Sequence, residues 1–172
     1  SLKDMSSKDR DGLEIYAAIA HSVRNDVLIY RDGVNLSNLE NLHIGTSSLR
    51  RKRQCKFFLG NENCSEVRGN IDTRLEKLHK GDYDAIILAR AGIERLQFNE
   101  NYIDLDFLPA IGQGVIAIQC RSNDEQTKAI LSKIRDESLH QCIEIERYIV
   151  RRLNASCSSA LSVEANLSNN RF

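Results

Sequence analysis

The sequence predicts an α/β protein whose sheet is mostly parallel, and three observations predict this class. Strand-like and helix-like segments alternate between residues 43 and 120, which is the pattern of repeated strand–helix units. The run Asp84–Ala89 is almost continuously apolar, as expected for a strand covered on both faces. Gly60, Gly69 and Gly81 break the chain between these segments, as turn glycines do.

Local patterns, taken in chain order, give the individual elements. Short apolar, β-rich runs between turn signals predict strands at 13–19, 26–30, 43–46, 65–68, 84–89 and 114–120. Helical patterns with polar or hydroxyl residues at their starts predict helices at 37–42, 47–59, 70–80, 92–96, 125–134 and 137–153.

Composition and charge exclude several classes of protein. Hydrophobic residues make up 41% of the 172 residues, which argues against disorder. Lys and Arg number 24 and Asp and Glu also number 24, and this balance disfavours RNA binding. No apolar run approaches the roughly 20 residues of a membrane span. Five irregularly spaced Cys without a CxxC pair predict reduced cytosolic thiols, and neither a disulfide framework nor a metal site.

The segment Gly45-Thr46-Ser47-Ser48-Leu49-Arg50-Arg51 places hydroxyl groups where a strand turns into a helix. Ser47 or Ser48 can cap the free backbone N–H groups at the start of the helix. These N–H groups also attract anions, and Arg50 and Arg51 add charged donors. An ordinary helix cap with solvated arginines is the equally weighted alternative.

A second turn of the same kind spans Val67–Leu75, with Arg68 ending a strand, Asn70 or Asp72 as cap, and Arg74 one turn into the helix. Turns at the carboxyl ends of neighbouring strands meet along one crevice. Arg50, Arg51, Arg68 and Arg74 would therefore gather around a phosphate or a multi-carboxylate ligand. Pairing of each arginine with a local Asp or Glu remains the alternative.

Two further segments stand out. The segment Leu108–Gly114 holds the only Pro and two glycines before a strand, and it is interpreted as a hinge where the chain crosses between domains. Cys157 follows the last long helix among small polar residues, with Arg151 and Arg152 nearby, an environment that favours a reactive thiolate. From the residues alone, an inert surface cysteine is the more common alternative.

These segments, in this order, resemble the porphobilinogen deaminase family over essentially the whole chain. The matching stretches are 1–4, 45–51, 68–70 with 73–75, 82–89, Ala91-Gly92 with Arg95-Leu96, 112–114, and Glu146-Arg147 leading to Cys157. The resemblance implies a cytoplasmic, monomeric transferase of heme biosynthesis. It would condense four porphobilinogen molecules, with loss of ammonia, into hydroxymethylbilane.

The resemblance also implies roles for individual residues. Asp4 matches the family's catalytic carboxylate, and Cys157 matches the cysteine that carries a covalent dipyrromethane cofactor. Further cofactor-binding positions are Lys3, Ser47, Ser48, Arg50, Arg51 and Arg74, and substrate-binding positions are Arg68, Arg74 and Arg95. Ala155-Ser156 stands before Cys157 where the family usually has a glycine-rich pair.

The family's architecture implies three domains, the first two of them α/β and similar to type II periplasmic binding proteins. Residues 1–19 and 115–135 would be remnants of the first domain and 20–114 the second. Residues 138–172 would begin a small α+β third domain. The chain lacks an initiator Met, so we expect a fragment of a longer protein, inactive by itself.

A non-catalytic anion-binding module with the same fold is the alternative function. Such a module would need neither Asp4 nor Cys157. The presence of both residues in their family contexts favours the enzyme.

Overall fold

The computed structural model describes residues 1–6, 8, 10–20, 22–155 and 159–167. The chain divides into two compact units, one formed by Ser1–Arg24 with Leu108–Phe172 and the other by Asn25–Phe107. The strands are β1 Leu13–Ala20, β2 Asp26–Tyr30, β3 Ile44–Gly45, β4 Cys64–Ser65, β5 Ala85–Ala89, β6 Tyr102–Leu105 and β7 Val115–Arg121. The α-helices are α1 Leu49–Leu59, α2 Ile71–His79, α3 Arg90–Leu96, α4 Glu125–Leu131 and α5 Glu137–Arg152, and 3₁₀ helices span Leu2–Asp4 and Leu36–Asn41.

The 25–107 unit is built on a five-stranded sheet in the order β4-β3-β5-β2-β6. Strand β3 pairs in parallel with β4 and β5. Strand β2 lies antiparallel to both β5 and β6. The carboxyl ends of β3, β4 and β5 therefore share one edge of the sheet, which we call the carboxyl edge, and β2 begins at this same edge.

Hydrophobic cores cover both faces of this sheet. Val27 and Ile29 of β2 pack with Leu75 and Leu78 of α2 on one face. Leu28, between them in sequence, joins the opposite cluster with Cys55 of α1, as the alternation of side chains along a strand requires. Because side chains on both faces of the sheet are buried, the sequences of β2 and β5 are almost continuously apolar.

The other unit pairs β1 with β7 in an antiparallel ribbon, and α5 packs against β1. Its core joins Leu2, Ile15, Ala18, Val115 and Ile143, so α5 shares a core with the start of the chain. The division into three domains remains a prediction. It assigns residues 1–19 and α5 to different domains, whereas the structure gives them a common core.

The predicted α/β class is confirmed, although the five-stranded sheet is mixed, with two parallel and two antiparallel pairs. The sequence of a single apolar strand does not show whether it pairs in parallel or antiparallel orientation, which explains why the sequence predicted a mostly parallel sheet. Strand β6 is missing from the sequence prediction, because Asp104 interrupts its short apolar pattern. Among the described residues, none of the helices has the length and apolar character needed to cross a membrane.

Candidate functional site

The turn from β3 into α1 places two arginines at the carboxyl edge. Ser48 is the N-cap of α1, and its side chain accepts a hydrogen bond of 3.4 Å from the Arg51 backbone N–H. Ser47 Oγ donates to the Val67 carbonyl at 2.6 Å, which joins this turn to the neighbouring one. The cap therefore fixes Arg50 and Arg51 in the first turn of the helix.

Arg50 and Arg51 share one buried carboxylate. Arg50 Nη2 donates to Asp26 Oδ2 at 2.7 Å, and Arg51 Nη2 donates to Asp26 Oδ1 at 2.7 Å. Arg51 Nη1 also donates to the Ile87 carbonyl at 2.9 Å. Asp26 is fully buried, and the two arginine residues are only 6% and 8% exposed. Arg50 and Arg51 thus pair with an acid, but this acid is remote in sequence and is not the local Asp or Glu of the alternative interpretation.

The shifts in pKa reflect this shared ion pair. Burial alone would raise the pKa of Asp26, but the charges and hydrogen bonds of Arg51 and then Arg50 outweigh it and hold the pKa below its usual value. Burial, with a smaller contribution from the Arg51 charge, lowers the pKa of Arg50 even though Asp26 opposes the change. The carboxylate is therefore ionised at neutral pH and is a permanent partner of the two cations.

The second predicted turn lies beside the first, because β3 and β4 are parallel neighbours as the sequence analysis required. Gly69 has φ +116°, and an added Cβ would lie 2.7 Å from Thr73 Cβ. Asn70 caps α2 by accepting from the Thr73 N–H at 2.9 Å. Glycine at position 69 is thus needed for the chain to enter α2 at this angle.

The two arginines of this turn differ in environment. Arg74 is half-buried, and its Nε donates to the Gly69 carbonyl at 2.8 Å. Burial and then the positive charge of Arg51 lower the pKa of Arg74, which places these two cations within electrostatic range of each other. Arg68 is 79% exposed and pairs with Glu66 at 3.0 Å, so it is held only at the surface.

Arg95 lies on α3, the helix that follows β5 at the carboxyl edge. Gly92 allows α3 to approach α2 closely, since a Cβ there would lie 2.8 Å from Ile71 Cδ1. Arg95 is exposed and lies one turn after Gly92, on the same side of the helix. The structure therefore brings Arg50, Arg51 and Arg74 together, with Arg68 and Arg95 exposed on neighbouring elements.

The predicted catalytic residue belongs to the other unit. Lys3 and Asp4 lie in the first 3₁₀ helix, which is held by the buried side chain of Leu2. Leu2 packs against Gly112, where an added Cβ would meet Leu2 Cγ at 2.5 Å. Asp4 itself is exposed. Packing of Leu2 thus fixes the short helix that carries this carboxylate.

The predicted hinge is also fixed within this unit. The Gly112 N–H donates to Glu146 Oε2 at 3.3 Å, and Gln113 Nε2 donates to the Arg24 carbonyl at 2.6 Å. The chain passes between the units at 107–108, where the predicted hinge segment Leu108–Gly114 begins. Cys157, the predicted cofactor attachment point, lies outside the described residues.

Sequence reasoning gave no role to Arg24 or Asp26, and it named Glu146 only as part of a family-like segment. Asp26 had been counted only as the first residue of a strand, and the antiparallel direction of β2 is what brings it to the carboxyl edge. A donor set rich in arginine at this edge suits acidic organic ligands. Among the described residues, no group of three or more His, Cys, Asp and Glu side chains could hold a metal ion.

The family model described as "Porphobilinogen deaminase, dipyromethane cofactor binding domain" matches residues 1–129. The chain belongs to this porphobilinogen deaminase family. Porphobilinogen deaminase from Staphylococcus aureus (strain bovine RF122 / ET3-1) is 40% identical over 177 residues, covering 99% of this chain and 58% of that protein. The porphobilinogen deaminase of Brevibacillus brevis is 39% identical over 175 residues, covering 99% of this chain and 57% of the relative.

The chain thus spans less than two thirds of the length of these porphobilinogen deaminases. Among solved structures, an amino acid ABC transporter substrate-binding protein from Streptococcus pneumoniae, bound to L-arginine, has a TM-score of 0.42 and 15% identity. The similarity covers 86% of this chain and 60% of that one. Membership of the porphobilinogen deaminase family rests on the sequence match.

Proposed function

We propose that the whole protein is a cytoplasmic, monomeric transferase that condenses four porphobilinogen molecules into hydroxymethylbilane. Each condensation breaks the bond from the aminomethyl carbon to nitrogen, releases ammonia, and joins that carbon to a carbon of the next pyrrole, which loses a proton. Water supplies the hydroxyl group when the finished tetrapyrrole is released. The observation that carries the proposal is the grouping of Arg50, Arg51 and Arg74 in the first turns of α1 and α2, the helices that follow the parallel neighbours β3 and β4. Family membership supplies the reaction class.

The arginines would bind the acidic side chains of the pyrroles. Each porphobilinogen carries two carboxylates, so a growing chain needs many cationic donors. A guanidinium group donates two parallel hydrogen bonds to a carboxylate, and each charged hydrogen bond contributes about 1.5–3 kcal/mol. Arg68 and Arg95, which are exposed, would receive the incoming substrate, while the more buried arginines hold pyrroles already bound.

Asp4 is proposed as the catalytic carboxylate. Its role would be to assist the departure of ammonia and to stabilise the positive charge that develops on the pyrrole. An exposed carboxylate on a helix fixed by the Leu2–Gly112 contact can meet substrate without unfolding. Lys3, beside it, would bind a carboxylate of the same ligand.

The dipyrromethane cofactor fits the donor set of this chain. Lys3, Ser47, Ser48, Arg50, Arg51 and Arg74 would hold its carboxylates, and Cys157 would carry it through a thioether. When bound, it supplies the primer to which porphobilinogen units are added. The residues around it orient the primer and neutralise its charge.

A direct test is the mass of the whole protein and its colour with Ehrlich's reagent. We expect two linked pyrroles attached to the wild type and none attached to the Cys157→Ser variant, so the wild type should turn pink with the reagent and Cys157→Ser should not. Asp4→Asn should keep the cofactor and lose turnover. Cys142→Ser, a buried cysteine of α5, is the matched control and should keep both.

Three outcomes would contradict the proposal. A Cys157→Ser protein that still carried the covalent pyrroles would remove the attachment assignment. Full turnover by Asp4→Asn would remove the catalytic role of Asp4, and a wild type that binds carboxylates without turnover would be an anion-binding module only.

A further inference from the structure

The inference concerns Asp26, a residue that the proposed mechanism does not use. Its carboxylate is fully buried, and each of its two oxygens accepts a 2.7 Å hydrogen bond from a different arginine. Asp26 reaches this position because β2 is antiparallel to β5 and begins opposite Ala89, where β5 ends. A carboxylate supplied by the protein thus lies at the edge of the sheet where the ligand-binding arginines gather.

The desolvation of these charged groups makes the arrangement energetically unfavourable for a purely structural role. Removing a carboxylate and two guanidinium groups from water is unfavourable, and replacing a buried ion pair by well-packed apolar residues is often neutral or stabilising. Moreover, Arg51 Nε is buried and donates to no acceptor among the described residues. The Arg51 guanidinium group, near Arg74, therefore has an N–H group that can donate to a further acceptor.

We propose that Asp26 is the built-in counter-ion of this anion site, a positioning residue whose carboxylate fixes the Arg50 and Arg51 guanidinium groups for binding ligand carboxylates. The inference rests on the proposed function for the identity of the ligand. Asp26 holds the two cations close together when no ligand separates their charges. It accepts a hydrogen bond from one Nη atom of each guanidinium group, and this sets the orientation of both groups before the ligand binds.

Chemical rescue tests the counter-ion role without any assay of catalysis. Asp26→Ala removes the carboxylate and leaves room for a small anion between the two guanidinium groups. We expect sodium formate, compared with sodium chloride at equal ionic strength, to raise the Tm of Asp26→Ala in the whole protein by about 2–4 °C. The wild type, whose position is filled by its own carboxylate, should shift by less than about 1 °C.

Asp84→Ala is the matched control for this measurement. Asp84 also pairs with an arginine, Arg31, at 2.7 Å, but the two side chains are 29% and 42% exposed. Formate should therefore have little effect on its Tm, because water already solvates the Arg31 cation. If Asp26→Ala fails to fold in chloride, the recovery of folded protein after refolding in formate or chloride replaces Tm. Equal responses of the two variants to formate would overturn the proposal.

The rate of cofactor loading tests the positioning role itself. Asp26→Asn keeps the shape of the side chain and turns an N–H group toward one arginine. Apoprotein mixed with porphobilinogen and followed by mass should load about tenfold more slowly in this variant than in wild type. Asp84→Asn should load at the wild-type rate.

The two experiments separate failure of the inference from failure of the proposed function. If even the wild type does not load pyrroles, the proposed function fails, while the formate measurement still decides the role of Asp26. Wild-type loading by Asp26→Asn would show that the carboxylate does not orient the arginines.

Discussion

Arg24 and Glu146, 122 residues apart in the chain, form a two-pronged ion pair with N–O distances of 2.8 and 2.9 Å. The same carboxylate accepts from the backbone N–H groups of Gly112 at 3.3 Å and Ala165 at 3.1 Å. Glu146 is fully buried and lies on α5. One side chain therefore fixes three separate segments within its unit.

Replacing Glu146 by Gln should destabilise the protein strongly. The variant leaves the largely buried Arg24 cation with only the more distant Glu164, at 3.7 Å, as a charged partner, and breaking a buried pair costs about 3–5 kcal/mol. Urea denaturation monitored by circular dichroism measures the change. Glu94→Gln, which weakens an exposed pair with Arg90 one helical turn away, should cost less than about 1 kcal/mol. Equal costs for the two variants would contradict the assignment.

Gly112→Ala should impair catalysis by displacing the helix that carries Asp4. Residue 112 has φ +67°, and its new Cβ would lie 2.5 Å from Leu2 Cγ, so Leu2 must move. We expect kcat of the whole protein to fall about tenfold or more, as small displacements of catalytic groups do. Steady-state kinetics with porphobilinogen provide the measurement.

Gly12→Ala is the control that distinguishes backbone strain at a positive φ from displacement of Leu2. Gly12 has φ +74°, similar to Gly112, but an added Cβ meets no atom within 4 Å. Both variants should lose about 1 kcal/mol of stability through the unfavourable backbone conformation. Only Gly112→Ala should lose kcat. A similar loss in both would place the cause in strain and not in Leu2.

The contribution of Asp26 to stability should disappear in acid. Its pKa is lowered in the folded protein, so its stabilising effect is complete above the ordinary pKa of about 3.9 and is lost as the pH falls toward the folded value. The difference in unfolding free energy between wild type and Asp26→Asn should be constant near neutrality and shrink below about pH 4. Denaturant titrations at several pH values test this. A difference that grows in acid would contradict the ion pair.

Cys64 should be alkylated first among the described cysteines. Interaction with the Cys55 thiol lowers the pKa of Cys64, burial opposes this, and the Lys52 charge adds to the lowering. In the structure, Cys64 Sγ donates to Asn61 Oδ1 at 3.7 Å. Cys55, Cys120 and Cys142 are buried, whereas Cys64 is half-buried. Peptide mapping after brief iodoacetamide treatment measures the order.

Cys55→Ala should slow the alkylation of Cys64, because the interaction that stabilises its thiolate is removed. Cys142→Ala, a buried cysteine of α5, is the control and should leave the rate unchanged. An unchanged rate in Cys55→Ala would show that Cys64 reacts through exposure alone.

Patterns along the sequence predicted most of the helices and strands, since capping residues such as Ser48 and Asn70 mark their beginnings. They also predicted that the turns at Arg51 and Arg74 lie side by side. The partner of the arginines could not be predicted in this way. Asp26 is remote from them in sequence, and only the direction of β2 shows that it meets them. Long-range pairs such as Arg24–Glu146 leave no local pattern for the same reason.

The antiparallel course of β2 makes this site sensitive to chain length as well as to residue type. Successive side chains of a strand point to opposite faces, so a shift of one residue in the pairing of β2 with β5 would exchange Asp26 for a valine or an asparagine. A single-residue deletion just before β2 would then do as much damage as loss of an arginine. Substitutions confined to the exposed surface of α1 would leave this alignment untouched.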